Sequence, residues 1–303
     1  MKKFLAVLLA LTMVFALCAC GQKAASAATA TDAAKDYSKM TIDELKAEIT
    51  TVNQGELTVA TSPDFAPYEF YSIDAGGNPQ LSGFDMAFAQ YIADMLGLKL
   101  NVIPMDFDGV IAELQNKTVD IGLAGLSPDP ERANAMDFSD IYYKGGQSFV
   151  TVKANADKIK SYTDCDSKDF SVGAQTGSIQ QKLAEQDTPN ADIVALTKVT
   201  DIVQELLAGT LDGAFIETVV AQSYAKNYPD LVIVCDVPYD VAGSAVGVAK
   251  DNPALLAAIN LAVAAAATDG SMDKFIANAN KLAEGNIYEG TLDTTGAVPS
   301  ANP

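Results

Sequence analysis

The segment Gly125-Leu126-Ser127-Pro128-Asp129-Pro130-Glu131-Arg132 holds the parts of an anion site. Asp129 can cap a helix, Pro130 suits its first position, Arg132 offers a two-pronged donor to a carboxylate, and Ser127 adds a hydroxyl and a backbone N–H. Blander readings stay open. Asp129 and Pro130 can simply start a helix, and Arg132 taken alone is better read as pairing with Glu131 or Asp137 on the surface. Further along, a single acid, Glu217, precedes Thr218. An isolated acid is usually just solvated, but set against Arg132 it supplies the other half of a zwitterion site. A carboxylate clamp facing an ammonium acceptor fits an α-amino acid.

Both segments need a scaffold that brings strand ends together. From Leu57 the chain alternates short apolar runs (57–60, 100–103, 119–124) with amphipathic stretches (86–96, 110–115), the βαβ order of a parallel sheet with helices on its faces. Asp85 can cap the first helix, Gly97 follows it where a left-handed residue belongs, and Asp74-Ala-Gly-Gly-Asn78 reads as a hairpin turn. The order recurs as strand 170–173, helix 179–185, strand 193–196, helix 202–207 and strand 211–216. Sliding the two stretches by 92 residues sets Glu113 on Glu205, Leu114 on Leu206, Thr118 on Thr210 and Asp120 on Asp212. Two similar units are expected, each entering a strand through an Asp. Ligands of open parallel sheets bind beyond the carboxyl ends of strands, which is where Gly125 to Arg132 and Glu217 fall.

Composition narrows the chemistry. The chain has no histidine, so Ser-His-Asp, Cys-His and histidine-ligated zinc sites are excluded. With 39 acidic and 20 basic residues the net charge is −19, which argues against nucleic acid and against electrostatic attachment to anionic lipid. No cofactor or metal is implied. Met1-Lys2-Lys3 and the uncharged run from Phe4 to Cys20 form an export signal too short for a confident membrane span. Its end, Leu17-Cys18-Ala19-Cys20-Gly21, resembles a bacterial lipobox, which would make Cys20 the lipidated first residue and discard Cys18. The Ala-, Ser- and Thr-rich stretch that follows reads as a tether, with Thr41-Ile-Asp-Glu44 fitting a capping box for a short helix through Ile49. Cys165 and Cys235 remain in the folded region, where an exported location permits a disulfide and two separate buried thiols are as well supported.

In order and spacing, several motifs resemble those of ABC-transporter solute-binding proteins of family 3, the polar amino acid group. They are Ala60-Thr-Ser-Pro-Asp-Phe-Ala-Pro-Tyr-Glu-Phe70, Gly83-Phe-Asp85, Pro104-Met-Asp-Phe-Asp-Gly109, the Gly125 to Arg132 segment, Asp137-Phe-Ser-Asp-Ile-Tyr-Tyr143 and Gln175-Thr-Gly-Ser178. The resemblance implies an α/β, two-lobed, periplasmic-binding-protein-like (flytrap) fold with two crossover strands. Its expected division is a signal peptide 1–20, a tether 21–54, lobe 1 from 55–146 plus 243–288, lobe 2 from 147–242 and a tail 289–303.

The resemblance also implies roles. Arg132, Ser127 and the Gly125 carbonyl would hold the carboxylate and amino group of a free amino acid, with Ser178 and the Ile179 N–H meeting the carboxylate from lobe 2. Glu217 would take the ammonium, and Phe65 and Phe107 would sandwich the side chain. Gln175, Ser62 and Gln147 would add polar contacts. Three departures bear on specificity: the ammonium acid is commonly Asp, basic-ligand binders often carry an acid where Ser62 stands, and no second Lys or Arg faces the cleft. A neutral polar ligand such as glutamine or cystine is therefore favoured, with arginine or lysine reached through Asp64. Hinges are expected near 145–149 and 241–245. The implied protein is a monomeric, lipid-anchored, non-enzymatic deliverer to an ABC permease. The alternatives are an exported enzyme of the cyclohexadienyl dehydratase type, with Glu217 as its acid or base, and a sensing domain, against which the lack of a signalling segment argues.

Overall fold

The central strands are apolar on both faces because helices cover both faces of the sheets they join. In the computed structural model, residues 35–241 and 243–288 are described. The export signal, Cys18, Cys20, residues 21–34, Ala242 and the 289–303 tail lie outside them.

Helix α1 (Ile42–Lys46) starts from the expected capping box, in which Thr41 and Glu44 each bind the other's backbone N–H. It is shorter than the sequence reading and is not tether. Leu45 is fully buried against the body, and the Val52 N–H donates to Asp120 Oδ1 at 2.8 Å. Residues 36–54 therefore belong to the folded unit, anchored by Leu45, whose burial contributes about 2 kcal/mol, with Tyr37, Met40, Ile42 and Ile49 packed against the same core.

The first half runs β1 (Glu56–Thr61), β2 (Asp64–Phe65), β3 (Glu69–Ile73), β4 (Pro79–Ser82), α2 (Phe84–Leu96), β5 (Lys99–Pro104), α3 (Phe107–Asn116), β6 (Ile121–Gly122) and β7 (Met136–Tyr143). Asp74 makes the expected hairpin between β3 and β4, accepting from the Gly76 and Asn78 amides. Gly97 closes α2 in the left-handed region, as expected. Asp85 does not cap α2: the N-cap is Gly83, and Asp85 lies in the first turn facing the core. Its carboxylate accepts the Tyr142 hydroxyl at 2.8 and 2.9 Å and the Gly125 N–H at 3.2 Å.

The second half runs β8 (Gln147–Val152), β9 (Ser171–Gln175), α4 (Ile179–Asp187), β10 (Asp192–Leu196), α5 (Val199–Ala208), β11 (Gly213–Glu217), α6 (Thr218–Asn227) and β12 (Leu231–Val237). The chain then returns through β13 (Ser244–Ala249), α7 (Pro253–Thr268) and α8 (Ser271–Ala283). Among the described residues no single helix is long and apolar enough to cross a membrane.

Two five-stranded sheets share one plan, β5-β1-β6-β13-β7 and β10-β9-β11-β8-β12. In each, three parallel strands are followed by an antiparallel one, β13 beside β6 and β8 beside β11. The crossover strands are thus β8 and β13. A small sheet, β2-β3-β4, rises from the end of β1. The largest cluster of buried apolar side chains runs from Leu45, Phe88 and Ile259 through Tyr68 to Ile202 and Val220, so apolar contact is continuous from one sheet to the other. Cys165 is buried and Cys235 half-buried; both are free thiols within one smaller cluster of the second half.

Candidate ligand-binding site

Asp129 accepts the Glu131 N–H at 2.8 Å and so starts a 3-10 helix, Pro130–Asn134, with proline at its head. This short turn points Arg132 inward, leaving it only 9% exposed. Neither alternative partner holds it, since Glu131 pairs with Lys182 and Asp137 with Lys250. The guanidinium donates to the Ser127 carbonyl at 3.1 Å and, across to the second half, to the Gly177 carbonyl at 3.2 Å. It also stacks over the Phe107 ring at 5.4 Å. Burial pulls its pKa below the ordinary arginine value, and among the described residues no carboxylate is bonded to this desolvated cation.

Gly177 leads into α4, capped by Ser178, whose Oγ accepts the Gln181 N–H at 3.1 Å and donates to the Gln175 carbonyl at 2.6 Å. The next amide, Ile179 N–H, has no intrahelical acceptor, as at any helix start, and it sits two residues beyond the Gly177 carbonyl that Arg132 contacts. The two Arg132 bonds thus bring the Gly125 to Arg132 segment of the first half beside the start of α4 in the second.

Glu217 ends β11 and caps α6, accepting the Val220 N–H at 3.0 Å. Its other oxygen accepts the Gly146 N–H at 3.3 Å and a long 3.5 Å contact from the Tyr68 hydroxyl. A Cβ on Gly145 would come within 2.5 Å of that oxygen, so a side chain there would displace the Glu217 carboxylate. Glu217 is 4% exposed, and burial raises its pKa to about 7. Gln147, its direct partner across β8 and β11, turns its amide oxygen to Gln180.

Phe65 packs 5.3 Å from Tyr68 and covers Gly125, whose φ of +55° and crowding against Phe65 both exclude a side chain. Phe65 and Phe107 thus face the two ends of the Gly125 to Arg132 segment. Three features were not legible in the chain. Tyr68 also accepts the Ser244 hydroxyl at 3.1 Å, joining β13 to Glu217. Glu69 is fully buried beside Asp85, and burial, then the Asp85 charge and a carboxyl–carboxyl hydrogen bond to it, push its pKa well above the ordinary range. Lys182 lies at the rim, already matched by Asp129 and Glu131. Tyr68 and Glu69 stand inside the Pro-Tyr-Glu motif, the one signal that could have found them. Asp64, considered as a contact for a basic side chain, has both oxygens occupied instead, by Ser62, Gln175 and the Val199 N–H. No ion pair among the described residues involves Asp64, Glu69, Asp85 or Glu217.

The profile of the bacterial extracellular solute-binding proteins, family 3, matches residues 57–279. The chain belongs to that family. Among its relatives is the arginine-binding extracellular protein ArtP of Bacillus subtilis, 32% identical over 256 residues, which are 83% of this chain and 88% of ArtP. The substrate-binding protein AbpA of Streptococcus pneumoniae, solved bound to L-arginine, superposes with a TM-score of 0.73 at 32% identity, over 80% of this chain and 99% of that one. A cyclohexadienyl dehydratase of Pseudomonas aeruginosa is also similar, 26% identical over 66% of this chain and 74% of its own. This family 3 protein accordingly has the two-lobed α/β fold that was expected, and it is an extracellular solute-binding protein of the amino acid type.

Proposed function

We propose that the protein captures a free amino acid with a cationic side chain and delivers it to an ABC permease. The observation that carries the reading is the pairing of a desolvated Arg132, beside the open start of α4, with a desolvated Glu217 across the cleft. In this reading the α-carboxylate bonds Arg132, Ser127, Ser178 and the Ile179 N–H, and the ammonium bonds Glu217 and the Gly125 carbonyl. The side chain passes between Phe65 and Phe107. Support for a cation comes from the relatives, since ArtP is an arginine-binding protein and AbpA was solved with L-arginine bound. That weighs towards a cationic side chain over glutamine and cystine. Calorimetry with arginine, lysine, ornithine, glutamine and cystine is the test. The cationic group should bind tightest by about tenfold or more, and tighter glutamine or cystine would overturn the side-chain assignment.

The lobes in this proposal are 55–146 plus 243–288 and 147–242, closing about 145–149 and 241–245, and each holds half of the charges. Cys20 carries the lipid anchor of a monomer; loss of membrane attachment in Cys20→Ser checks the anchor. A second reading rests on Glu217, since a buried carboxyl with a pKa of about 7 is a competent general acid. Turnover of a cyclohexadienyl substrate by purified protein would establish it, and a lack of turnover alongside tight amino acid binding would leave the non-enzymatic reading standing.

A further inference from the structure

Helix α5 begins without a cap of its own: its N-cap residue is Lys198, whose side chain makes no capping bond. A lysine is a poor choice there, because its charge opposes the positive end of the helix. The first amide, Val199 N–H, donates instead to Asp64 Oδ2 at 2.5 Å, 135 residues away on β2. The same oxygen accepts Gln175 Nε2 at 2.9 Å, and Oδ1 accepts the Ser62 hydroxyl at 2.8 Å. Gln175 also donates to the Thr197 carbonyl at 3.1 Å, and the Tyr224 hydroxyl on α6 donates to the Asp64 carbonyl at 3.0 Å. One aspartate of the first half is thus seated in a socket made by β9, α5 and α6 of the second.

We propose that Asp64 is a positioning residue, the N-cap of α5 supplied from across the cleft and completed only when the halves meet. Closure then carries a fixed favourable contribution that owes nothing to the ligand's side chain. When the cleft opens, Asp64 and the Val199 N–H separate into water, and α5 is left with Lys198 at its head. The affinity consequence rests on the proposed amino acid binding, through a simple rule: a ligand that binds the closed form is held more tightly in proportion to how readily that form is reached.

Small-angle scattering and calorimetry on the protein dialysed free of ligand test the latch. Asp64→Ala should raise the radius of gyration without ligand and weaken arginine and glutamine by the same factor, about tenfold, the scale of a lost helix cap. Adding Lys198→Asp gives α5 a cap of its own and should restore the thermal midpoint without restoring compaction or affinity. Recovery of all three would reduce Asp64 to a local support of α5. A loss confined to arginine would make it a side-chain contact, and unchanged scattering and affinity would remove the latch. If the unaltered protein binds neither amino acid, the proposed ligand class fails while the scattering still decides the latch.

Discussion

The two halves are nearly identical where each strand begins and opposite where it ends. At the bases, Thr118 Oγ1 donates to the Glu113 carbonyl at 3.1 Å and Thr210 Oγ1 to the Glu205 carbonyl at 3.0 Å, and both hydroxyls also reach the glutamate carboxylates. Asp120 N–H donates to the Thr58 carbonyl while the Asp120 carboxylate accepts the Thr58 N–H; Asp212 repeats both bonds with Ser171. At the mouths, one half presents Arg132 and the other Glu217. The bases hold the repeated sequence because helix, turn and neighbouring strand are joined there in both halves. The mouths close no such junction, so their residues are free to differ, and they differ in sign of charge.

The largest expected effect tests that opposition. Arg132→Ala should weaken amino acid binding by about 3 kcal/mol, roughly a hundredfold by calorimetry, and Glu217→Gln should weaken it through the ammonium instead. Near-unchanged binding in Arg132→Ala would break the contrast at the mouths. Next come the bases. Asp120→Ala strands two amides, Thr58 and Val52, and should cost about 2 to 3 kcal/mol in denaturant unfolding, against about 1 for Asp212→Ala, which strands Ser171 alone.

pH moves stability and affinity with opposite signs. Burial raises Glu217 to about 7 and Asp64 and Asp85 to about 6. The folded chain therefore keeps protons that the unfolded chain has released. This contribution to stability is fully present below about pH 4 and is lost as pH rises through 6 to 7. The ligand-free thermal midpoint should fall over that window. Affinity should move the other way, dropping about tenfold between pH 8 and 6 as Glu217 takes up a proton it must release to hold an ammonium. The smallest effect lies at matched helix ends, where Lys117 has φ 57° and Gly209 φ 77°. Lys117→Gly should gain up to about 1 kcal/mol, less whatever its exposed pair with Asp251 provides, while Gly209→Ala should lose about 1.

Periodicity made the helices, strands and repeat legible, because a helix or strand declares its buried face in a window of a few residues. The Thr41 capping box, the Gly97 helix end and the Asp74 turn were readable for the same reason: their partners lie within four residues. What pairs at long range was not. Asp85 looks like a cap in sequence and serves Tyr142 and Gly125 in the fold; Asp64 looks like a ligand contact and serves Val199. Leu45, Tyr37, Met40, Ile42 and Ile49 are scattered among polar residues without a sustained period, so nothing in that stretch signalled that residues 36–54 are packed. The motifs pointed to Arg132, Phe65, Phe107 and Ser178 together, while the bond from Arg132 across to the Gly177 carbonyl is something only coordinates reveal.

The strand that leaves the first half and the strand that returns to it are neighbours, with Tyr143 directly opposite Ser244 on β7 and β13. Everything from β8 to β12 hangs from that single doorway, like a parenthesis inside a sentence. Removing the parenthesis leaves ends close enough for a short turn to join, and the removed stretch is one unbroken piece of chain carrying all five strands of its own sheet. The reverse cut has no such option, since the first sheet is written partly before the parenthesis and partly after it. A graft that changes what meets the ligand from one side can therefore be made through one pair of residues, without touching the sheet that receives it.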